Sequence, residues 1–364
     1  MTARTTETAR GASGAVTARA AMAADRAAWD AFVAALPAAD PLQAWGWGDV
    51  AATGGERPAR LFAIDDAGRV RGVAQALVRD AAAGRRVLYV PHGPAWDARA
   101  DDAPAVLEVL LGGLRALGRA ERGIVLKLDP RATPDLGAAE LERILRGQGL
   151  RPARADLQAR TTRILDLRPG RDALLAGLEK DTRNLVRRAA REGVATRVVR
   201  HADPAEYAAF AALLAATGAR AGFRVRPREA LETIAREFAP GGDAYLVLAE
   251  HGRRNIAGCL VLAVGTRAFY LYAASLREPA LRHAAGPYAV LWAAIEALVA
   301  DGRESLDLWG VAERDDPAAE ASWAGFSLFK RGFCGAPLRH PGTFDMILSP
   351  AWYAVRDLRE RLGR

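Results

Sequence analysis

The chain has 364 residues, 51% of them hydrophobic, and a formal net charge of +8 at pH 7. This length predicts two domains rather than one core, and the basic charge favours an anionic partner such as RNA, a phosphorylated molecule or a membrane surface. The distant Cys259 and Cys334 and five scattered histidines argue against a disulfide scaffold or a zinc site. We predict no metal.

The first 24 residues are rich in Ala, Thr, Gly and Arg, and they lack the apolar stretch that a secretory signal needs. We therefore expect residues 1–24 to form a disordered tail. No apolar run approaches the 18 residues that indicate a transmembrane helix. The sparse cysteines fit a reducing compartment, which favours a cytoplasmic protein.

The first domain is predicted over residues 25–155. A helix with Trp29 and Val33 on one face is ended by Pro37. Two apolar runs around a turn at residues 65–69 then predict a β-hairpin. A further strand, an amphipathic helix and a returning strand follow at residues 87–90, 103–120 and 124–128.

The second half of the sequence repeats this order. A polar, basic stretch marks the boundary, and residues 156–340 are predicted to form the second domain. Its hairpin at residues 244–262 has the same arrangement of apolar strands as the first, which indicates a distant internal duplication. Each half predicts an α/β (α+β) domain, with a mixed sheet flanked by helices.

A strongly basic segment lies early in the second domain. Residues 172–192 predict one helix, with Asp172 near its start and Gly193 after its end. Residues 180–200 contain seven basic residues and only two acidic ones. A solvated surface is one interpretation, but unpaired charge of one sign favours an anionic ligand. The cations on one side of the helix are Lys180, Arg183, Arg187 and Arg191.

Two predicted strands carry candidate site residues. Residues 306–310 alternate, so that Asp307 and Trp309 share one face. Another strand places Tyr270 and Tyr272 together, either as packing at a sheet edge or as part of a site.

Residues 323–333 are unusually aromatic for a chain with only 7% aromatic residues. A cation among rings is dehydrated and oriented, which suits a group that meets developing negative charge. The alternative is a strand with an ordinary hydrophobic face and a solvated lysine. The rings that flank Lys330 and Arg331 in the sequence are Trp323, Phe326, Phe329 and Phe333.

These segments together resemble the Fem-type (FemABX) family of peptidoglycan aminoacyltransferases. The likeness runs from about Gln43 to Tyr353 and is strongest between Lys180 and Asp345. It implies two tandem acetyltransferase-like (GNAT) domains, with residues 341–364 returning to the first. The motifs that carry it are Y-x-P-x-G-P at 89–94, K-x-x-R-N at 180–184, D-L-W-G at 307–310, W-x-G-F at 323–326, F-K-R-G-F at 329–333, G-T-F-D at 342–345 and P-A-W-Y at 350–353.

The resemblance also implies an activity. Family members move an amino acid from aminoacyl-tRNA to the stem-peptide amine of a muramyl-pentapeptide precursor, which is nucleotide-linked or lipid-linked. An aminoacyl ester is already activated, so the enzyme must hold the amine against the carbonyl, remove a proton and stabilise the oxyanion. We expect no cofactor, and a peripheral contact with the inner membrane face.

The same resemblance suggests roles for individual residues. Lys330 would stabilise charge on the ester, and Phe329 would hold the tRNA end or the peptide stem. Asp307 and Tyr272 are weaker candidates for accepting the proton or orienting the stem. The candidate substrate-binding residues are Lys180, Arg183, Arg187, Tyr270, Trp309 and Trp323.

Two features depart from the family pattern. Relatives that use a nucleotide-linked acceptor carry a lysine shortly after a W-x-x-V step, whereas this chain continues from Trp47 through Val50 to Ala51. Residues 203–238 predict two ordinary helices rather than a long tRNA-binding arm. Acceptor binding in the first domain is therefore expected to differ.

Two other functions compete with this one. An acyl-CoA-dependent N-acyltransferase of the same fold, acting on a polysaccharide or small amine, needs a glycine-rich turn for the CoA pyrophosphate. Residues 283–288 keep only Gly286, and Pro287 removes an amide donor. The third possibility is a non-catalytic RNA- or membrane-binding protein, which predicts salt-sensitive binding without turnover.

Overall fold

The computed structural model describes residues 8–11, 14–133, 135–201, 203–222, 225–281, 283–312 and 317–362, with the side chains of 8–14, 317–324 and 360 excepted. The chain forms two compact units. Unit 1 comprises Met1–Arg160 and Arg339–Arg364, and unit 2 comprises Thr161–Leu338. This division lies close to the predicted domain boundaries.

Unit 1 contains most of its secondary structure before residue 153. The strands are β1 (Thr8–Gly11), β2 (Gly14–Ala20), β3 (Arg57–Ile64), β4 (Val70–Asp80), β5 (Arg86–Val90), β6 (Ala95–Trp96), β7 (Gly123–Leu128) and β8 (Arg151–Pro152). The helices are α1 (Arg26–Ala35), α2 (Trp45–Ala52), α3 (Ala103–Ala120) and α4 (Ala138–Gly147).

Unit 2 follows, and the chain then returns to unit 1. The strands are β9 (Thr161–Asp166), β10 (Ala195–Val199), β11 (Ala244–His251), β12 (Arg254–Val264), β13 (Arg267–Ser275), β14 (Ser305–Gly310) and β15 (Ala336–Arg339), and β16 (Phe344–Ile347) belongs to unit 1. The helices are α5 (Arg171–Gly177), α6 (Lys180–Arg191), α7 (Pro204–Ala221), α8 (Arg228–Phe238), α9 (Gly286–Ala300) and α10 (Pro317–Gly332), with α11 (Pro350–Arg361) in unit 1.

The two sheets share one central topology. The first has the order β1-β2-β3-β4-β5-β7-β16-β8, with β6 beside β4, and the second has the order β10-β11-β12-β13-β14-β9-β15. In each, three antiparallel strands lead through a long helix to a parallel neighbour, as β5 leads through α3 to β7 and β13 through α9 to β14. A helical crossover is the connection that parallel strands require. The predicted mixed sheets are confirmed, and the two units share this strand–helix–strand order.

The crossover helices cover the sheets and build the two cores. Helix α3 turns Val106, Leu110 and Leu114 toward the sheet, each at most 1% exposed, in the periodic pattern of a helix that is buried on one side. Helix α9 is apolar on nearly all sides and buried from Gly286 to Leu298 apart from four positions. Truncating such a buried leucine costs about 2–5 kcal/mol. None of the helices in the described ranges is long and apolar enough to cross a membrane.

The amino-terminal region departs from the predicted disordered tail. Strand β2 pairs antiparallel with β3, and two of its own side chains, Val16 and Ala18, are buried. These two side chains alternate with polar ones, which is the pattern of a strand with one covered face. The prediction is wrong for residues 14–20, because a short, alanine-rich strand resembles low-complexity sequence until its partner strand is known. Residues 1–7 lie outside the described part.

The basic segment at residues 172–192 forms two helices, not one. Leu178 and Glu179 have extended backbones between α5 and α6. Leu178 is buried, and Arg183 donates to two carbonyl oxygens at the end of α5, at 2.6 and 3.2 Å. These bonds satisfy carbonyls that a helix end leaves open. The apolar spacing continues across the break, so sequence periodicity does not reveal it.

Candidate active site

The site is built around an irregular strand end in unit 2. The pairing of β14 with β9 shifts register between Asp307 and Gly310, and Trp309 has a left-handed backbone with φ of 61°. A bulge of this kind bends the strand and redirects its groups. Asp307 is buried and Trp309 half-buried, so the regular alternation that the sequence predicts ends within the D-L-W-G motif.

The carboxylate of Asp307 holds this bulge in place. It accepts the backbone N–H of Trp309 at 2.7 Å and the hydroxyl of Thr162. The same hydroxyl lies 3.0 Å from the carbonyl oxygen of Trp309. Asp307 is only 1% exposed, and buried carboxylates need such partners. Its position therefore gives it a structural task next to the site.

Lys330 lies on α10 and is buried, with 1% exposure. Its Nζ donates to the carbonyl oxygen of Gly310 at 2.9 Å. The ring centroid of Phe326, one helical turn earlier, is 3.8 Å from Nζ, and that of Tyr270 is 5.9 Å away. The segment is a helix, not the strand with a solvated lysine that was the alternative. The structure thus places the amine among rings.

Helix α10 is tied to the segment after β14 by two further bonds. The hydroxyl of Ser327 accepts the N–H of Ala312 at 2.9 Å, and Arg331 donates to the carbonyl oxygen of Ala312 at 2.9 Å. Residues three and four apart lie on one helix face. Ser327, Lys330 and Arg331 therefore all reach the end of β14 and the residues that follow it. The amine is consequently held in a rigid setting.

Burial shifts the acid–base behaviour of Lys330. Desolvation lowers its pKa well below the ordinary value, and the charge of Asp307 only partly opposes this effect. A lysine with a lowered pKa releases its proton more readily at neutral pH, which suits a group that exchanges protons with a substrate. Strongly perturbed groups of this kind are concentrated at functional sites.

Phe329 belongs to an aromatic cluster beside the lysine. Its ring centroid is 5.0 Å from that of Tyr288 and 5.3 Å from that of Phe333, both in edge-on geometry. Phe333 is fully buried, whereas Phe329 is half-buried at the edge of the unit 2 core. The side chain that covers the amine is therefore Phe326, and Phe329 forms the neighbouring wall.

The other aromatic candidates have different positions. Tyr270 is buried at 3% exposure, whereas Tyr272 is half-buried, and a register shift opposite them separates the two. Burial raises the pKa of Tyr272, and the charge and hydrogen bond of Arg226 oppose the rise. Trp309 packs edge-on against Phe269, with centroids 6.3 Å apart. The side chain of Trp323 lies outside the described residues.

The basic helix α6 meets α10 directly. A side chain added at Gly332 would collide with the hydroxyl of Thr182, so glycine is what allows this close approach. Lys180, Arg187 and Arg191 are exposed on α6, whereas Arg183 is committed to the end of α5. The F-K-R-G-F and K-x-x-R-N motifs are thus joined by packing, and three cations remain on the outer surface.

Sequence reasoning missed several parts of this arrangement. The carbonyl of Gly310, the hydroxyl of Thr162 and the covering role of Phe326 depend on contacts between distant segments. One sequence signal was available, because only three of the 51 basic residues are lysines. A composition that uses arginine almost everywhere makes each retained lysine notable, and burial of Lys330 explains why a group able to lose its proton stands there.

Unit 1 buries a different polar cluster. His92 Nδ1 lies 2.9 Å from the carboxylate of Asp40, and Asp129 accepts the N–H of His92 at 2.7 Å and the hydroxyl of Tyr89 at 2.8 Å. Burial raises the pKa of Asp129 to about 6, against the effects of His92, Tyr89 and Arg131. Tyr89 and His92 of the Y-x-P-x-G-P motif belong to this network, and the charged groups of the network partner one another.

Comparisons with known proteins agree with this geometry. A family profile described as acetyltransferase (GNAT) domain matches residues 178–316. The lipid II:glycine glycyltransferase of Staphylococcus aureus is 30% identical over 236 residues, which is 63% of this chain and 54% of that protein. The crystal structure of FemX superposes with a TM-score of 0.80 at 21% identity, covering 93% of this chain and 99% of that one. The chain is therefore similar to these Fem-type proteins, and it shares the fold of FemX.

The chain also shares its two-unit fold with a tandem GNAT protein from the clavulanic acid biosynthesis pathway, with a TM-score of 0.54 at 15% identity over 92% of this chain and 99% of that one. The chain spans about half the length of the curated relatives that it matches.

Proposed function

We propose that this protein is an aminoacyltransferase that moves an amino acid from aminoacyl-tRNA to the stem-peptide amine of a muramyl-pentapeptide precursor. The observation that carries this proposal is the buried amine of Lys330 beneath Phe326, on an acetyltransferase-like unit of a chain similar to Fem-type proteins. The similar staphylococcal protein is described as acting on lipid II. That description favours a lipid-linked acceptor, formed and used at the inner face of the membrane.

The reaction needs only positioned groups. The stem-peptide amine attacks the ester carbonyl, a C–N bond forms, and the C–O bond to the terminal ribose of the tRNA breaks. The amine loses one proton, and the ribose oxygen gains one as it leaves as a hydroxyl. A tetrahedral oxyanion lies between these states, and its stabilisation is the main demand on the protein.

Lys330 is the residue proposed to meet that demand. In its charged form it stabilises the oxyanion, and its lowered pKa lets it pass a proton to the leaving oxygen. To reach the substrate, Nζ must give up its hydrogen bond to the carbonyl oxygen of Gly310. The ring of Phe326 must also move aside. That ring is 47% exposed, so solvent lies on its far side.

The remaining candidates take supporting roles in this proposal. Phe329 and Trp309 form walls near the lysine, and Tyr270 closes the compartment from the core. Asp307 holds the bulge that presents Gly310. Tyr272, which is half-buried beside Arg226, would orient the stem peptide.

The outer face of α6 is the proposed contact for the donor. Lys180, Arg187 and Arg191 are exposed there, and a polyanion such as tRNA is bound chiefly through its phosphates. The helix contacts α10 at Thr182 and Gly332, so a ligand on α6 lies next to the element that carries Lys330. Arg183, which bonds the end of α5, would orient this helix rather than contact phosphate.

The acyl-CoA alternative finds less support in the same unit. Helix α9 starts at Gly286, and the N–H groups of Tyr288 and Ala289 donate to the carbonyl of Ala285. Pro287 has no N–H to offer a pyrophosphate. The start of α9 therefore offers fewer open amides than a helix start without a proline.

One assay separates these functions. Purified protein is given a pool of charged tRNA with lipid-linked or nucleotide-linked muramyl pentapeptide, and separately acetyl-CoA with the same acceptors, and the products are weighed. We expect the stem peptide to gain one amino-acid residue from charged tRNA only. Transfer from the thioester alone would overturn the proposal, as would binding of tRNA without any product.

A further inference from the structure

The outer side of α11 exposes a stripe of aliphatic side chains. Val355, Leu358 and Leu362 are 45%, 58% and 64% exposed, and their spacing of three and four residues places them on one helix face. Within the described part of the chain, seven large hydrophobic side chains are exposed, and three of them lie in this stripe. Single exposed leucines are ordinary, but a contiguous row indicates an interaction surface.

An open apolar depression lies beside the stripe. Val87, Ile124 and Trp352 line it together with Val355, and arginines stand at its rim. Arg359 is exposed, and the guanidinium of Arg85 lies 5.2 Å from the centroid of the Trp352 ring. A tryptophan between aliphatic side chains and arginines is the arrangement found where a protein meets the polar–apolar boundary of a bilayer.

We infer that this face of α11 docks on an anionic phospholipid bilayer. The row of Val355, Leu358 and Leu362 would enter the acyl boundary, while Arg359 faces lipid phosphates. Charge favours lipid over a second copy of the chain, because a symmetric pairing of two such stripes would bring like-charged arginines together. The net charge of +8 supports the same partner. The inference does not depend on the proposed reaction.

The test uses the full chain and vesicles of phosphatidylcholine with or without phosphatidylglycerol, with binding measured by flotation. We expect binding only when the anionic lipid is present, and weakening with added salt. The variant V355Q/L358Q/L362Q should lower the partition coefficient by about tenfold or more, since three aliphatic groups no longer leave water. All three side chains face solvent, so the fold should be kept, as circular dichroism and the melting temperature would confirm.

Two further variants sharpen the result. Met22→Gln removes an aliphatic side chain that is 67% exposed elsewhere in unit 1, and it should leave binding unchanged. Arg359→Gln should weaken binding by about threefold to fivefold and flatten its salt dependence.

Three results would overturn the inference: no binding of the wild-type chain to anionic vesicles, equal binding of the triple variant, or self-association of the wild type that the triple variant abolishes without vesicle binding. No donor or acceptor is present in this assay. A failure here therefore leaves the proposed aminoacyl transfer unaffected, and a failure of transfer leaves the lipid contact standing.

Discussion

The two units bury charged groups in opposite ways. In unit 1, Asp40 faces His92, and Asp129 accepts hydrogen bonds from His92 and Tyr89. In unit 2, Lys330 has one carbonyl oxygen and aromatic rings as its contacts, while the carboxylate of Asp307 serves Thr162 and Trp309. The pKa of Asp40 falls because its pairing with His92 and Arg131 outweighs desolvation, whereas desolvation of Lys330 outweighs the charge of Asp307 and lowers the pKa of the amine. This contrast supports the proposal that the reactive group lies in unit 2.

The largest effect should come from removing the amine. Lys330→Met is expected to lower turnover by about two to three orders of magnitude with the fold intact, because the oxyanion loses its stabilising group. Single-turnover rates with charged tRNA would measure this. An unchanged rate would remove Lys330 from the mechanism and make it a tie between α10 and β14.

The same variant tests the cost of burial independently of activity. The folded pKa of Lys330 lies below its unfolded value of about 10.4, so the unfolded chain binds more protons between the two values and the wild type gains stability as pH rises through that window. Lys330→Met lacks this gain. The free energy of unfolding of the wild type should therefore rise relative to that of Lys330→Met as pH approaches about 10.4. A difference between the two proteins that does not change with pH would contradict a lowered pKa for Lys330.

Unit 1 should respond with the opposite sign. The pKa of Asp129 is raised to about 6, so its stabilising contribution is complete below the unfolded value of about 3.9 and is lost as pH rises through about 6. The total is on the order of 2–3 kcal/mol. Urea unfolding at several pH values should show this loss in the wild type and not in Asp129→Asn. Asp101→Asn, at an exposed aspartate, is the control, and this variant should lose stability with rising pH as the wild type does.

A smaller effect should follow from uncovering the lysine. Phe326→Ala is expected to raise the rate at which an amine-specific reagent labels Lys330 by about tenfold, because the ring no longer shields Nζ. The chain has only three lysines, so peptide mapping reads each one. Exposed Lys180 and buried Lys127, which is paired with Asp345 at 2.6 Å, are internal controls. Leu328→Ala, at a neighbouring exposed position, should leave the rate unchanged.

The smallest effect concerns the outer face of α6. Arg187→Gln should raise the KM for charged tRNA by about threefold and reduce its salt dependence, because one phosphate contact is lost, while kcat stays constant. Arg228→Gln is the matched control, since Arg228 is exposed but paired with Glu232 at 2.6 Å. Equal changes in both variants would indicate a general charge effect and not a binding face.

Much of the fold follows from local patterns in the chain. Apolar runs on either side of a turn predict the hairpins, and a 3.6-residue period predicts the crossover helix α3, because both depend on residues a few positions apart. The break at Leu178 and the strand at residues 14–20 escape this reasoning. One depends on a buried side chain and on bonds from Arg183, and the other on a partner strand more than 40 residues away.

By itself, the sequence determined the repeated strand–helix–strand order, the basic helix and the concentration of rings around Lys330. Only the tertiary structure decided what the lysine contacts. Gly310 lies 20 residues from Lys330, and Thr162 lies 145 residues from Asp307. The bulge that presents a carbonyl and the ring that covers the amine arise when α10 packs against β14. A lowered pKa is a property of that burial, which no stretch of sequence contains alone.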